Sequence, residues 1–506
     1  MRGTILILAL GFLLLGCIGG EQREESEVPL QTPPEPPPEE TMTVFTDANF
    51  SLEYPSSWQP MEKQSEEDIL NRIGGPPCAL SVKRYPFVVP GWVKAAFSSY
   101  MPDAEWNGNV FEGDITVEGN EYHLKNGIVY CECASYVVGV GCPKGSFDGE
   151  TADAIINSAK CSYEPPPAYS GKGRVGLIVI PPNEKFWEVY CANIKEAREA
   201  GASMTHMYFT WGDMEKAEGE RNWSSPDYIV EVNKVNGMKM SAVVSVVYTN
   251  KLGEIPRDME FRSFSDPEFK ERFADFMVEF VGRYKDTIEY FEVGNEINIY
   301  LAGHPDEIDD FREFYGYARD RIKAEYPDAR VGTVFAYHAA RDTNTTYIIE
   351  ELADVGDFNA FTLYIHGENF AFNRSIDEAD TYFDEIDAIS GKPFVITETG
   401  WSTSAMLHSS EEKQAEYIDK VFEILEEKKD RMEFVAWFDS HDLNDDSCRE
   451  SAASFVTPEM EGVQETEYWP YFEEFICRAG LRDVNDNPKL GWHEWVKKTN
   501  EYTDID

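Results

Sequence analysis

Residues 288–296 read IEYFEVGNE, and residues 393–399 read PFVITET. Each is a largely apolar run, rich in β-branched and aromatic residues, that carries a carboxylate at or near its end: Glu296 in the first, Glu398 in the second. Runs of this length and composition read as strands buried on both faces. Six more of the same kind accompany them, at Arg174–Ile180, Met204–Thr210, Lys239–Val247, Ala329–Phe335, Phe358–Leu363 and Phe434–Phe438. Between the runs lie amphipathic stretches, among them 185–200, 267–284, 307–325, 345–353, 376–389 and 411–428. Eight strands alternating with helices over about 330 residues predict an α/β fold, a parallel (β/α)8 TIM barrel at 172–506. A doubly wound open sheet is the competing arrangement, but no Gly-x-Gly-x-x-Gly follows the first run.

Barrel active sites sit at the C-terminal ends of the strands. The fourth run ends in Val293-Gly294-Asn295-Glu296 and the seventh in Ile396-Thr397-Glu398, so both carboxylates are aimed at the barrel mouth. A carboxylate pair across one site is what glycoside hydrolysis needs. One carboxyl group, protonated, helps the leaving oxygen depart; the other acts as the anion. At a separation of about 5–5.5 Å the anion attacks the anomeric carbon and stereochemistry is retained. Burial and proximity drive two such pKa values apart and give the two glutamates different roles.

The segments GNEI (294–297) and ITETGWS (396–402) resemble the clan A glycoside hydrolases, the retaining "4/7" superfamily of cellulase- and galactanase-like TIM barrels. GLRDVNDNPKLGWHEWVK (480–497) is similar to the clan's last turn and helix. The resemblance implies that Glu296 is the acid/base, that Asn295 bonds the sugar 2-hydroxyl, that Glu398 is the nucleophile and that Trp437 is the aromatic platform of strand eight. Two departures stand out. Many members carry an arginine in strand two that supports the nucleophile, but none lies in 204–211, where the matching position is His206 or its neighbour. A frequent His-x-Tyr of strand six reads here Tyr364-Ile365-His366, which leaves Tyr364 and His366 as candidate site residues. Trp211, Trp223 and Trp401, in loops after strands two and seven, are candidate sugar-stacking residues, as are Tyr468 and Trp469 after strand eight.

The N-terminus reads as a targeting segment at 1–20. Arg2 precedes an apolar run from Ile5 to Leu15, too short to span a bilayer. Leu14-Leu15-Gly16-Cys17 resembles the lipobox of prokaryotic lipoproteins, which implies lipidation at Cys17 and an extracytoplasmic, membrane-anchored protein. Residues 21–41 form a Pro/Glu-rich tether. Residues 42–163 read as a small α+β domain: an alternating segment from Val44 to Tyr54, strands at 78–85, 114–117, 122–124 and 128–140, and a helix at 151–159. Its two ends resemble the PsbP-like fold, and it carries no catalytic pattern. A linker, 164–171, follows.

Of nine cysteines, eight remain after Cys17, an even number that suggests disulfides in an oxidising compartment. If all eight pair, at least one bridge ties the two domains together. A Cys448–Cys477 bridge would brace the loop after strand eight. No cysteines stand at zinc-ligand spacing. Asp439, Asp442, Asp445 and Asp446 read as a solvated loop. So do Asp483, Asn485, Asn487 and Glu494, because Pro488 replaces the glycine of a calcium loop. No metal and no cofactor is expected. The net charge of −48 opposes binding to nucleic acid and to anionic lipid headgroups, leaving the lipid anchor as the membrane contact. It also disfavours acidic glycans.

The function these features predict is a monomeric retaining glycoside hydrolase acting on β-glycosidic bonds of a neutral polysaccharide or oligosaccharide. The rivals are a non-catalytic carbohydrate-binding envelope lipoprotein on a degenerate barrel, and a transglycosylase.

Overall fold

A computed structural model describes residues 41–74, 78–97, 101–117, 119–165, 171–181, 186–457, 460 and 462–503. The expected signal segment with Cys17, and the expected tether up to residue 40, lie outside them. Among the described residues no helix is long and apolar enough to cross a membrane. The chain divides into two compact units between Glu164 and Pro165.

The first unit is built on a seven-stranded antiparallel sheet. Its spatial order is Gln59–Pro60, Asp68–Ile73, Ala79–Pro86, Ala134–Pro143, Asn120–Cys131, Val110–Val117 and Glu105–Asn107. A small sheet of Met42–Asp47, Phe50–Pro55 and Lys160–Cys161 packs on one face together with the helix Gly149–Ser158. Asp148 starts that helix by accepting from the Glu150 and Thr151 amides at 3.1 and 3.3 Å. The helix Pro90–Phe97 covers the other face through Val93 and Phe97. The alternating segment expected from Val44 to Tyr54 is thus a hairpin of two strands, and the long run at 128–140 breaks at Glu132, where φ is +53°. Disulfides Cys78–Cys142 and Cys131–Cys161 cross-link this unit.

The second unit is a nearly closed parallel barrel. Its strands are β1 (Arg174–Leu177), β2 (Met204–Phe209), β3 (Lys239–Tyr248), β4 (Ile288–Asn295), β5 (Arg330–Gly332 and Val334–Ala336), β6 (Asn359–Leu363), β7 (Phe394–Thr399) and β8 (Met432–Trp437). β1 pairs with both β2 and β8. The run expected at 329–335 is interrupted at Thr333: its first half pairs with β4 and its second with β6. The two ends of the sheet are therefore two halves of one strand. Thr333 spans the break by donating from its hydroxyl to the Val293 carbonyl at 2.7 Å.

Helices cover the outside because their sequences bury one stripe. In Pro267–Tyr284, Asp266 caps the start by accepting from the Glu268 amide at 3.0 Å, and Pro267 occupies the first turn. Phe269, Phe273, Phe276 and Phe280 then recur at helical spacing and are buried. Inside the barrel, Met204, Val243, Tyr290, Val334, Phe358, Ala360, Val395, Phe434 and Ala436 form one packed cluster. Gly176 of β1 completes it by having no side chain: a Cβ there would stand 3.0 Å from that of Ala436 and 3.3 Å from that of Met204.

The Phe434 ring sits edge-on to Tyr290 at 5.0 Å and is fully buried. Phe434→Ala is expected to cost about 3–5 kcal/mol, measured as a lowered urea midpoint with an unchanged slope.

Candidate active site

β4 leads into the helix Ile297–Gly303 through two left-handed residues, Gly294 (φ +79°) and Glu296 (φ +50°). A non-glycine residue in that region is held there by its surroundings, and such strain concentrates at functional sites. The turn sets the Glu296 carboxylate at the barrel mouth. One oxygen accepts from the Thr362 hydroxyl of β6 at 2.6 Å, the other from the Thr249 hydroxyl after β3 at 2.8 Å. The preceding Asn295 is buried, and its Oδ1 has no partner among the described residues.

Glu398 is placed by an irregularity in β7. Ile396 lies opposite Phe361 of β6, but Glu398 lies opposite Thr362, so Thr397 is the extra residue of a bulge. Bulges re-aim side chains at barrel rims. This one brings Glu398 beside Thr362, the residue that already holds Glu296. The Tyr208 hydroxyl of β2 donates to one Glu398 oxygen at 2.6 Å, and the Tyr364 hydroxyl donates to the other at 2.7 Å. Gly400 lets β7 and the chain after β8 approach closely, since a Cβ there would lie 2.5 Å from the Phe438 carbonyl oxygen.

Burial disfavours both charges. It pushes Glu398 up to about 7, with the neighbouring charge of Glu296 adding to the rise and the two tyrosine hydroxyls opposing it. Burial also raises Glu296, against the pull of Thr362 and Thr249. The two phenol hydroxyls favour the anion at Glu398 and so limit that rise. Tyr208 and Tyr364 stay protonated, because burial and the Glu398 charge raise both far above their ordinary value. Tyr248 completes the wall, edge-on to Tyr208 at 6.3 Å.

Of the residues expected at the site, Glu296, Glu398, Asn295 and Tyr364 come together. His366 lies at the mouth, its ring 5.3 Å from Phe475. Four tryptophans expected at the mouth pack elsewhere. Trp437, 3% exposed, points outward from β8, donates to the Ala479 carbonyl at 3.2 Å and packs on Tyr417. Phe438, one residue on, packs instead with the interior cluster and stands perpendicular to Tyr364 at 6.2 Å. Trp211 and Trp401 are fully buried. The first packs on Phe273 and bonds Glu215; the second packs on Phe372 and bonds Ser409. Trp223 stacks on Phe276, under Arg283.

The strand-two arginine position resolves differently from expectation. His206 lies deeper, bonded to Ser241 at 3.0 Å, and Ser241 in turn bonds the buried Glu292. The contact to the nucleophile candidate comes from Tyr208, two residues on and on the same strand face. Thr362 and Thr249 were also missed, although Thr362 shares a face with Tyr364 at strand period. Nor are Asp439 and Asp442 solvated: Asp439 accepts from the Ile180 amide at 3.2 Å, and Asp442 pairs with buried Lys489 at 2.6 Å. The Cys448–Cys477 bridge is formed. It closes an excursion that brings Phe455 to Tyr248 (5.7 Å) and Phe475 to Tyr364 (5.1 Å).

No protein-family model and no curated protein matches the sequence. Solved structures do match the fold. A GH5_18 protein from Bifidobacterium longum subsp. longum, in complex with Manβ1-4GlcNAc, aligns with a TM-score of 0.51 at 13% identity, over 65% of this chain and 78% of its own. A GH5_18 protein from Streptomyces cattleya, in complex with GlcNAc, gives 0.51 at 15% identity, over 66% and 80%. The exo-β-1,4-mannosidase Op5Man5 from Opitutaceae bacterium strain TAV5 gives 0.50 at 14%, over 66% and 60%. At these identities the likeness is one of fold.

The raised carboxyl at Glu398 has a consequence for stability. Its pKa is higher folded than unfolded, so its contribution is full below about 4.5 and is lost as pH rises through about 7. Glu398→Gln is therefore expected to be more stable than wild type at pH 8, by on the order of 2 kcal/mol, and to unfold at a higher temperature. The gap should shrink toward zero at pH 4.5, as measured by calorimetry across that range.

Proposed function

We propose that this protein is a retaining glycoside hydrolase that cleaves β-glycosidic bonds in a neutral, β-1,4-linked hexose polysaccharide or oligosaccharide. The observation that carries the proposal is the pair itself. Two glutamates at the ends of β4 and β7 share one buried site, each held by two hydroxyl donors. A structural role for two adjacent buried carboxylates would be costly, because each desolvated charge opposes folding. The fold likeness to GH5_18 proteins and to a β-1,4-mannosidase supports the same class of substrate.

In this reading Glu296 carries the proton that the departing glycosidic oxygen takes. Glu398 attacks the anomeric carbon as the carbon–oxygen bond breaks, giving a covalent glycosyl ester at its carboxylate. Glu296, now ionised, takes a proton from water, and the water oxygen displaces Glu398 at the same carbon. The two inversions return the original configuration. Tyr208 and Tyr364 orient the Glu398 oxygens and stabilise the carboxylate whenever it is free. In the same reading Asn295, whose Oδ1 has no partner among the described residues, bonds the sugar 2-hydroxyl. The disulfides support an oxidising compartment, in keeping with a lipid anchor at Cys17.

The test is hydrolysis of aryl β-glycosides and neutral polysaccharides by wild type, Glu296→Gln and Glu398→Gln. Each variant is expected to lose roughly 10³-fold or more in kcat/KM, and proton NMR should show the first-formed sugar with retained configuration. Equal, low rates in all three proteins would refute the assignment.

The tyrosines give a second check. The pH profile of kcat/KM should be bell-shaped, with an acid limb from ionisation of the pair. Tyr208→Phe and Tyr364→Phe each remove a donor that lowers the Glu398 pKa. Each is expected to move the acid limb to higher pH, and a limb left in place would show that the phenols do not support the anion.

A further inference from the structure

β3 runs into a hairpin whose tip the proposed reaction touches at one residue. Tyr248 pairs with Lys251, so Thr249 and Asn250 form that tip. Thr249 has a φ of +55°, a region that a β-branched residue rarely enters and keeps only where its surroundings hold it. One hold comes from β4. The Thr249 amide donates to the Asn295 carbonyl at 2.9 Å, and its hydroxyl donates to Glu296 at 2.8 Å. The other hold comes from the excursion after β8.

The helix Asp445–Ala453 of that excursion runs out into Ser454 and Phe455. The last carbonyls of a helix have no partner within it. Here the hairpin supplies the donors. Asn250 donates from its amide nitrogen to the Phe455 carbonyl at 3.0 Å and to the Met460 sulfur at 3.4 Å. Both partners are acceptors, so the nitrogen must be the end that faces them. The Lys251 ammonium bonds the Ser454 carbonyl, and a cation is favoured at a helix C-terminus. Tyr248 packs on Phe455 at 5.7 Å. Cys448 ties the same helix to Cys477. Residues on both sides of Thr249 are therefore fastened to a covalently anchored helix, and Thr249 between them is turned onto Glu296.

The geometry points to Asn250 as a positioning residue: by capping the helix Asp445–Ala453 it fixes the hairpin tip and keeps the Thr249 hydroxyl on Glu296, so that the excursion completes the proton donor of the site. The inference rests on the glycosidase reading for what Glu296 does, and on these contacts alone for what holds it. A donated hydroxyl favours the carboxylate over the acid, so losing Thr249 leaves Glu296 a poorer proton donor. The other ionisable groups about Glu296 are Glu398 from β7, Tyr248 from β3 and Tyr364 after β6. Burial keeps both tyrosines protonated, and Glu398→Gln removes the remaining one.

The test reads Glu296 directly. Full-length protein in the Glu398→Gln background carries 13C at its glutamate carboxyls, and the Glu296 signal is the one that Glu296→Gln abolishes. Thr249→Val is expected to raise the titration midpoint of that signal by about one pH unit, and Asn250→Ala to move it the same way. The two changes together should match Thr249→Val alone, because Asn250 acts through Thr249. Lys251→Met removes the neighbouring cap and should repeat the Asn250→Ala result, which keeps the test open if Asn250→Ala does not fold. Kinetics separate positioning from general disruption of the mouth. With Glu398 restored, Asn250→Ala should lose roughly 10-fold in kcat/KM on cellobiose or mannobiose, whose departing oxygen needs a proton. It should lose little on the dinitrophenyl β-glucoside or β-mannoside, whose leaving group departs without one. A midpoint that does not move, shifts that add, or equal losses on both kinds of substrate overturn the inference and leave the glycosidase reading intact. A moved midpoint in a protein whose wild type hydrolyses no glycoside keeps Asn250 in its role and removes the glycosidase.

Discussion

The structure depends on holding two carboxylates together where water is scarce. Removing a carboxylate from water costs several kcal/mol unless donors replace the lost hydration. Here the replacement is four hydroxyls, from Tyr208, Thr249, Thr362 and Tyr364. They come from β2, the turn after β3, β6 and the residue just beyond it. Correct placement of the pair therefore requires most of the barrel to close in register. Hydroxyls suit the task because they donate without bringing a charge. An arginine in the place of Tyr208 would hold Glu398 ionised more firmly. The phenol leaves it near neutrality.

Barrel closure and site geometry are linked through small departures from regularity. The interruption of β5 at Thr333 lets one strand serve two neighbours, and the bulge at Thr397 rotates Glu398 toward Thr362. The left-handed turn at Glu296 does the same for its partner. Each departure costs local stability, and the packed aromatic layers inside and outside the strands offset it. Phe434, Tyr290 and Phe358 meet edge-to-face within the barrel, and Phe269, Phe273 and Phe280 are buried on the helix outside it. The rigid scaffold gives the mouth its geometry.

Above the pair, the excursion closed by Cys448–Cys477 supplies what the barrel lacks. Its Phe455 and Phe475 reach Tyr248 and Tyr364, and Phe475 stacks on Phe370 at 4.8 Å. A loop of this length would be costly to order by packing alone, and a covalent tie lowers that cost. The aromatic wall makes the mouth largely apolar.

The amino-acid sequence by itself determined the alternation of eight strands with helices, the approximate ends of six of those helices, and the two glutamates that close β4 and β7. These follow from local periodicity and from residues adjacent in the chain. It also led to Asn295 and Tyr364. It misplaced Trp437, because strand parity decides which face a residue takes, and a shift of one residue turns Trp437 outward and Phe438 inward. Trp211 and Trp401 read as mouth residues only until the helices that bury them are in place. The same parity argument would have drawn Tyr208 and Thr362 from the inward series Met204, His206, Tyr208 and Ala360, Thr362, Tyr364. Which of those reaches a carboxylate was decided by the tertiary structure alone. That outcome depends on strand stagger, on the bulge at Thr397 and on partners 34 to 190 residues away, none of which is written in any one stretch of chain.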